Sequence, residues 1–152
     1  MRRTLVMLVA LLPVIALAGF PFQATLKEMA EGSDHILIGR VTGVDMIDSR
    51  GEEIADRQAR TGPGLSNTIR LIITVDQVLI TNSPSVPKVL RVPLASHLHY
   101  SLGQIQDAHA GDTLVRLVLL KGRDFVGIKP GVFLRPLEDK DEALRLYAAS
   151  HS

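Results

Sequence analysis

Thr68-Ile-Arg-Leu-Ile-Ile-Thr-Val-Asp-Gln-Val-Leu-Ile80 is the stretch that decides the fold class. Ile69, Leu71, Ile73 and Val75 fall on every second residue, with Thr68, Arg70 and Thr74 between them, and Ile72 is the exception on the polar side. Alternate side chains of an extended chain leave on opposite faces, so this period of two predicts a strand with one face in the core. Its wealth of β-branched residues supports the same reading.

Further strands follow on both sides. Upstream, His35 to Val44 is rich in Ile and Val, and Gly39 and Gly43 inside it predict bulges or tight bends, as at a barrel corner. Downstream, Asn82-Ser83-Pro84-Ser85 breaks the chain, and Lys88 to Val92 restarts as a short strand with Val89 inward and Leu90 and Val92 on the opposite face. Asp112 to Leu120 is apolar on both faces apart from Arg116, which predicts a central strand. After a turn at Lys121-Gly122-Arg123-Asp124, Phe125 to Ile128 is expected to pair back. A type II turn at Pro130-Gly131 leads into a last strand, Val132 to Leu134.

Two helices frame this β-rich region. Thr25-Leu-Lys-Glu28 reads as a capping box that starts a short helix, which Gly32 would stop in a left-handed conformation. Asp139-Lys-Asp-Glu142 is expected to cap a helix running to about Ala149, with Ala143, Leu146 and Tyr147 on one stripe. The fold class expected is mainly β: a small antiparallel OB-like barrel or sandwich of five to six strands, with a short N-terminal helix and a C-terminal helix.

The start of the chain reads as a secretory leader. Arg2 and Arg3 precede an uncharged apolar run from Leu5 to Leu17, broken by Pro13, and Ala16-Leu-Ala18 sets small residues where a signal peptidase cuts. A membrane-spanning helix needs about 20 apolar residues. Cleavage is therefore expected after Ala18, leaving residues 19–152 as one β-barrel domain in the periplasm or outside the cell, with no stable membrane insertion. Arg2 and Arg3 are two of the 17 basic residues; without them 15 stand against 16 acidic ones, a net charge of −1. Such a balance carries no attraction to phosphate or anionic lipid. With only two tyrosines and no tryptophan to stack on bases, nucleic acid is not expected as a partner. The absence of cysteine excludes disulfides, thiol catalysis and thiolate metal sites, and leaves stability to a buried core.

The run Ser33-Asp-His-Ile-Leu-Ile-Gly-Arg-Val41, the strand end Val75-Asp-Gln-Val-Leu79 and Gly111-Asp-Thr-Leu-Val115 resemble small exported bacterial proteins with a netrin-like, tissue-inhibitor-of-metalloproteinase-like OB barrel. The resemblance spans roughly residues 25 to 135 and implies a fold, with no catalytic signature. In the animal inhibitors an N-terminal cysteine presents its amine and carbonyl to a protease zinc. The expected start here, Gly19-Phe-Pro-Phe22, has no cysteine, so that chemistry does not carry over.

Asp48 to Asn67 is a long excursion of mixed charge, part of which could extend a hairpin around Gly51. Ile54 and Leu65 are its only large aliphatics, so little area is expected to be buried by it. Within it Arg57, Arg60, Thr61, Gly62 and Gly64 could form an anion nest, and this loop is the expected contact with a partner. Leu94 to Gly111 carries no clean period and holds three of the five histidines. There His97, His99, Asp107 and His109 are the only residues with metal-like spacing, suited to zinc or copper. No G-x-S-x-G, H-E-x-x-H or dinucleotide fingerprint occurs. The reading is an exported, non-catalytic domain that binds an envelope or extracellular protein. The alternatives are a histidine-based metal-binding protein and a hydrolase whose site leaves no motif.

Overall fold

The computed structural model describes residues 21–152; the leader expected over residues 1–18 lies outside the described residues. The elements are α1 (Leu26–Gly32), β1 (His35–Ile47), β2 (Thr68–Thr81), β3 (Val89–Pro93), α2 (Leu102–Ala108), β4 (Val115–Leu120), β5 (Leu134–Pro136) and α3 (Lys140–Ser150), the last entered through a single 3-10 turn. The strands form one antiparallel sheet in the order β3-β2-β1-β4-β5. The expected barrel is not closed: the sheet is open, with β3 and β5 as its edges. No described helix is long and apolar enough to cross a membrane.

The β2 pattern places Ile69, Leu71 and Ile73 in the core and leaves Ile72 half-buried on the other face. β3 is set opposite to expectation. Leu90 and Val92 are buried, and Val89 faces out at 45 % exposure, because the ladder partners Leu90 with Ile73 and Val92 with Leu71 and so puts them on the core face. β4 is buried on both faces. Val118 and Leu120 join Leu37, Val41, Leu71, Ile73 and Phe133 inside the curl of the sheet. Leu117 and Leu119 join Ile36 beneath α1 and α3.

Both glycines of β1 mark shifts in its register with β2, between Ile38 and Gly39 and between Val41 and Gly43. At Gly39 a β-carbon would lie 2.7 Å from the Thr74 carbonyl oxygen and 3.0 Å from Ile73 Cγ2. The partner backbone cannot retreat without breaking the ladder. Gly39→Ala should therefore lower stability by about 1–3 kcal/mol, read from the urea midpoint; an unchanged midpoint would show that the bend is not needed.

The helix ends differ in part from expectation. Thr25 and Glu28 form the reciprocal capping box. Gly32 is not left-handed; the chain leaves α1 through an extended Ser33, whose hydroxyl donates to the Met29 carbonyl at 2.5 Å. Asp139 does not cap α3 with its side chain, because its carboxylate accepts from Arg135 at 2.8 Å. Val115 rather than Asp112 opens β4, since Asp112 forms a turn of its own, and the Phe125 to Ile128 return is reduced to one bridge between Lys121 and Val126. The Pro130-Gly131 turn has the expected form, with Gly131 at φ 78° and the Val132 amide donating to the Lys129 carbonyl.

Two parts read as irregular are ordered by tertiary contacts. α2 lies inside Leu94 to Gly111, capped by Ser101 and Gln104. The excursion between β1 and β2 folds back on both neighbours. Ile47 bridges Glu53, and the Ile54 amide donates to the Met46 carbonyl. Thr61 donates its amide to the Tyr100 carbonyl and its hydroxyl to the Leu98 carbonyl, while Leu102 and Gly103 donate amides to Ala59 and Arg57. Ile54 and Ala59 pack against Met46, Ile69 and Leu102.

Candidate functional site in the gap of the β1 ladder

β1 is flanked by β2 along its whole length, but on its other side the flanks are interrupted. β4 pairs with it only from His35 to Arg40, and the returning loop rejoins at Ile47 through Glu53. The five residues Val41 to Asp45 therefore have no strand on that side, a gap of about 17 Å at the rise of an antiparallel strand. The connection from α2 to β4 passes across the gap without pairing. A groove of about 470 Å³ results, lined by residues 40–44 on one wall and by Gln106 and residues 109–113 on the other.

Main-chain groups reach into this groove. The Met46 carbonyl, one step beyond it, is taken by the Ile54 amide. The Val44 carbonyl accepts only from Gln106 Nε2, at a long 3.5 Å. A residue in a strand turns its amide and carbonyl to the same side, so the Val44 amide faces the groove as well.

The far wall is held by Asp112. One of its oxygens accepts from the Leu114 amide at 3.0 Å; the other accepts from Arg116 at 2.8 Å and faces His109 Nδ1 at 3.1 Å. Burial alone would raise this carboxyl, but the Leu114 amide, His109 and the Arg116 guanidinium outweigh it and bring the pKa down to about 2. With Asp112 ionised, its carboxylate accepts from His109 Nδ1 and fixes the orientation of the ring.

The sign of the pH dependence follows. A carboxyl lowered by folding stabilises the native state above its unfolded pKa, near 3.8, and that contribution is lost as pH falls toward 2. Asp112→Asn should therefore be destabilised at pH 7, with its deficit against the wild type shrinking below about pH 4. Urea unfolding at pH 7, 4 and 3 reads this, and a deficit that stays constant would remove Asp112 from the acid response.

The residues singled out by sequence are placed as follows. His97 packs edge-on against Phe22, with ring centroids 4.9 Å apart. His99 lies over Gly62, where a β-carbon would come within 2.7 Å of its Nδ1. Asp107 is held by Arg57 at 2.5 Å, and His109 by Asp112. Among the described residues no group of three or more His, Asp or Glu is arranged to hold a metal ion. In the loop, Arg57 is drawn to Gly103 and Asp107 at the end of α2. Thr61 is buried with its amide and hydroxyl both spent. Gly64, at φ 78°, makes the turn closed by Leu65 donating to Gly62, and Arg60 is exposed while its main chain bridges Ser101. The loop thus uses most of these groups to dock itself on α2.

A larger cleft, about 570 Å³, lies at the start of β1 among Asp34, His35, Asn82, Ser83 and Arg123. Its buried groups are spent on one another. His35 Nε2 donates to the Gly122 carbonyl at 2.9 Å and Nδ1 meets the Thr81 hydroxyl at 2.8 Å, while the ring packs on Phe125, a non-glycine residue at φ 53°. Asp34 accepts from Asn82 and from the Gly122 amide. This constellation fastens two loops together, as a satisfied strand-end histidine does.

Sequence reasoning passed over Val44, Gln106 and Asp112. Ser101-x-x-Gln104 is itself a capping-box signature and would have placed Gln106 on a helix with His109 at its end. Asp after Gly111 is a turn signal that would have ended the strand before Asp112. Nothing local marks Val44, whose exposure to the groove depends on where β4 leaves β1. Compared with known protein families, curated proteins and solved structures, the chain matches none of them.

Proposed function

We propose that this chain is an exported, non-catalytic binding domain of OB-like design that engages another protein in the periplasm or outside the cell. The observation that carries the reading is the groove in the plane of the sheet. It is preformed, because Asp112 and the docked loop hold its walls, and it offers main-chain groups to a partner where the other cleft has used its own. The groove replaces the tip of the excursion as the expected contact, since Arg57 and Thr61 serve the fold.

The OB-like part of the proposal rests on topology. β1 lies between β2 and β4, and α2 falls between β3 and β4. The two edges also come near each other just outside the strands: a β-carbon at Gly131, ahead of β5, would lie 3.3 Å from the Ala95 amide nitrogen, after β3. Export rests on the leader pattern of residues 1–18.

Two measurements test the reading. Mass spectrometry of the protein from cell envelope and medium should show loss of residues 1–18; a stably retained precursor would sink the export half. Cross-linking in envelope extracts should capture a partner with the wild type and lose it with Ala110→Trp, which fills the groove from its exposed wall. Capture that survives this change would move the contact elsewhere.

A further inference from the structure

Given that reading of the groove as the contact site, we infer that its occupant is an extended peptide segment, which completes the β1 ladder by pairing its own backbone with Val44. The gap has the geometry of a missing strand. It lies in the plane of the sheet, between a ladder that ends at Arg40 and one that resumes at Ile47. What such an edge displays is an amide and a carbonyl pointing the same way, and the complement of that pair is the same pair on another strand.

The present partner of Val44 is a poor substitute. Gln106 Nε2 reaches its carbonyl at 3.5 Å, near the limit of a hydrogen bond, and offers nothing to its amide. A main-chain pair would satisfy both, so Gln106 acts as a placeholder that a strand displaces. The surrounding charges do not select a charged ligand. Arg40 is forked onto Asp76 at 2.9 and 2.8 Å, and Asp112 is held by Arg116. His109 lines the far wall, and its imidazole suits a residue that brings a hydroxyl or an amide, either of which can donate or accept. Recognition is thus by backbone, with small or polar side chains.

The test uses blocked Thr-Val-Xaa-Val-Thr pentapeptides, with Xaa varied over the coded residues, added to the isotope-labelled protein and followed by amide NMR shifts. A parallel set is methylated on the main-chain nitrogens of Xaa and its two neighbours. Shifts centred on Val41 to Asp45 and on the Gln106 to Thr113 wall are expected with the first set only, strongest where Xaa is Ser, Thr or Asn. Ala110→Trp should weaken binding by about tenfold or more, and Gln106→Ala should tighten it, because the competitor for the Val44 carbonyl is gone. If Gln106→Ala weakens binding, Gln106 is a ligand contact and the pairing is wrong. No shift at residues 41–45 with any member, or equal shifts with the methylated set, overturns the inference. Should the peptides fail while Ala110→Trp still abolishes partner capture, the groove remains the contact site and only the strand-addition mode falls; failure of both removes the site as well.

Discussion

Ile73→Asp should abolish cooperative unfolding of the domain, whereas Ile72→Asp, one residue away, should lower stability by about 1 kcal/mol or less. Ile73 is fully buried in a hydrophobic cluster with Leu37, Leu71, Leu90, Val118 and Phe133. Ionised, the new side chain would carry a desolvation cost that exceeds a net stability of about 5–15 kcal/mol. Ile72 points the other way and is only half-buried. Its ladder partner is Arg91, whose guanidinium could accept an aspartate across the strands. Circular dichroism and urea titration of the two variants decide the matter. Equal damage would mean that β2 is enclosed on both faces.

Replacing residues 51–64 with a short glycine-serine linker should lower the melting temperature by about 10 °C, a loss of about 3 kcal/mol. Composition alone argued the reverse, since a charged segment with two large aliphatics buries little. In the fold its main chain supplies the Thr61 amide to Tyr100 and carbonyls to Leu102 and Gly103, while Ile54 and Ala59 cover Met46, Ile69 and Leu102. A linker leaves the Tyr100 and Leu98 carbonyls and two amides of the α2 start without these partners, and uncovers that part of the core. Thr61→Val isolates the side-chain share: with shape nearly kept and the hydroxyl lost, the buried bond to the Leu98 carbonyl and the longer one from the Tyr100 amide disappear, at about 1–2 kcal/mol. A linker variant that melts with the wild type would return the segment to the status of a loose loop, free to act as a binding arm.

The same segment shows how the groove depends on the fold. Its return to β1 at Glu53 closes one end of the gap, and its docking on α2 fixes the start of the wall that carries Gln106, His109 and Asp112. Loss of the loop should therefore disturb groove and stability together, whereas Ala110→Trp should alter binding alone.

The strands with strict alternation, the capping box at Thr25, the bends at Gly39 and Gly43, the turn at Pro130-Gly131 and the two-faced burial of β4 were all legible in the sequence. Each follows from forces acting within a few residues: side-chain alternation, a local hydrogen bond, or a residue's freedom of φ. Tertiary structure decided the rest. The orientation of β3 depended on its register with β2, since a one-residue slip reverses every side chain and five residues of mixed character do not choose by themselves. The excursion became ordered through main-chain bonds to Tyr100, Leu102 and Gly103, some forty residues away, and backbone groups carry no compositional signal. The histidines were spaced along the chain like ligands but were turned to separate neighbours by packing. The gap at Val44 exists only because two segments on the same flank of β1 stop short of each other, a property of strand ends in space that no residue type encodes.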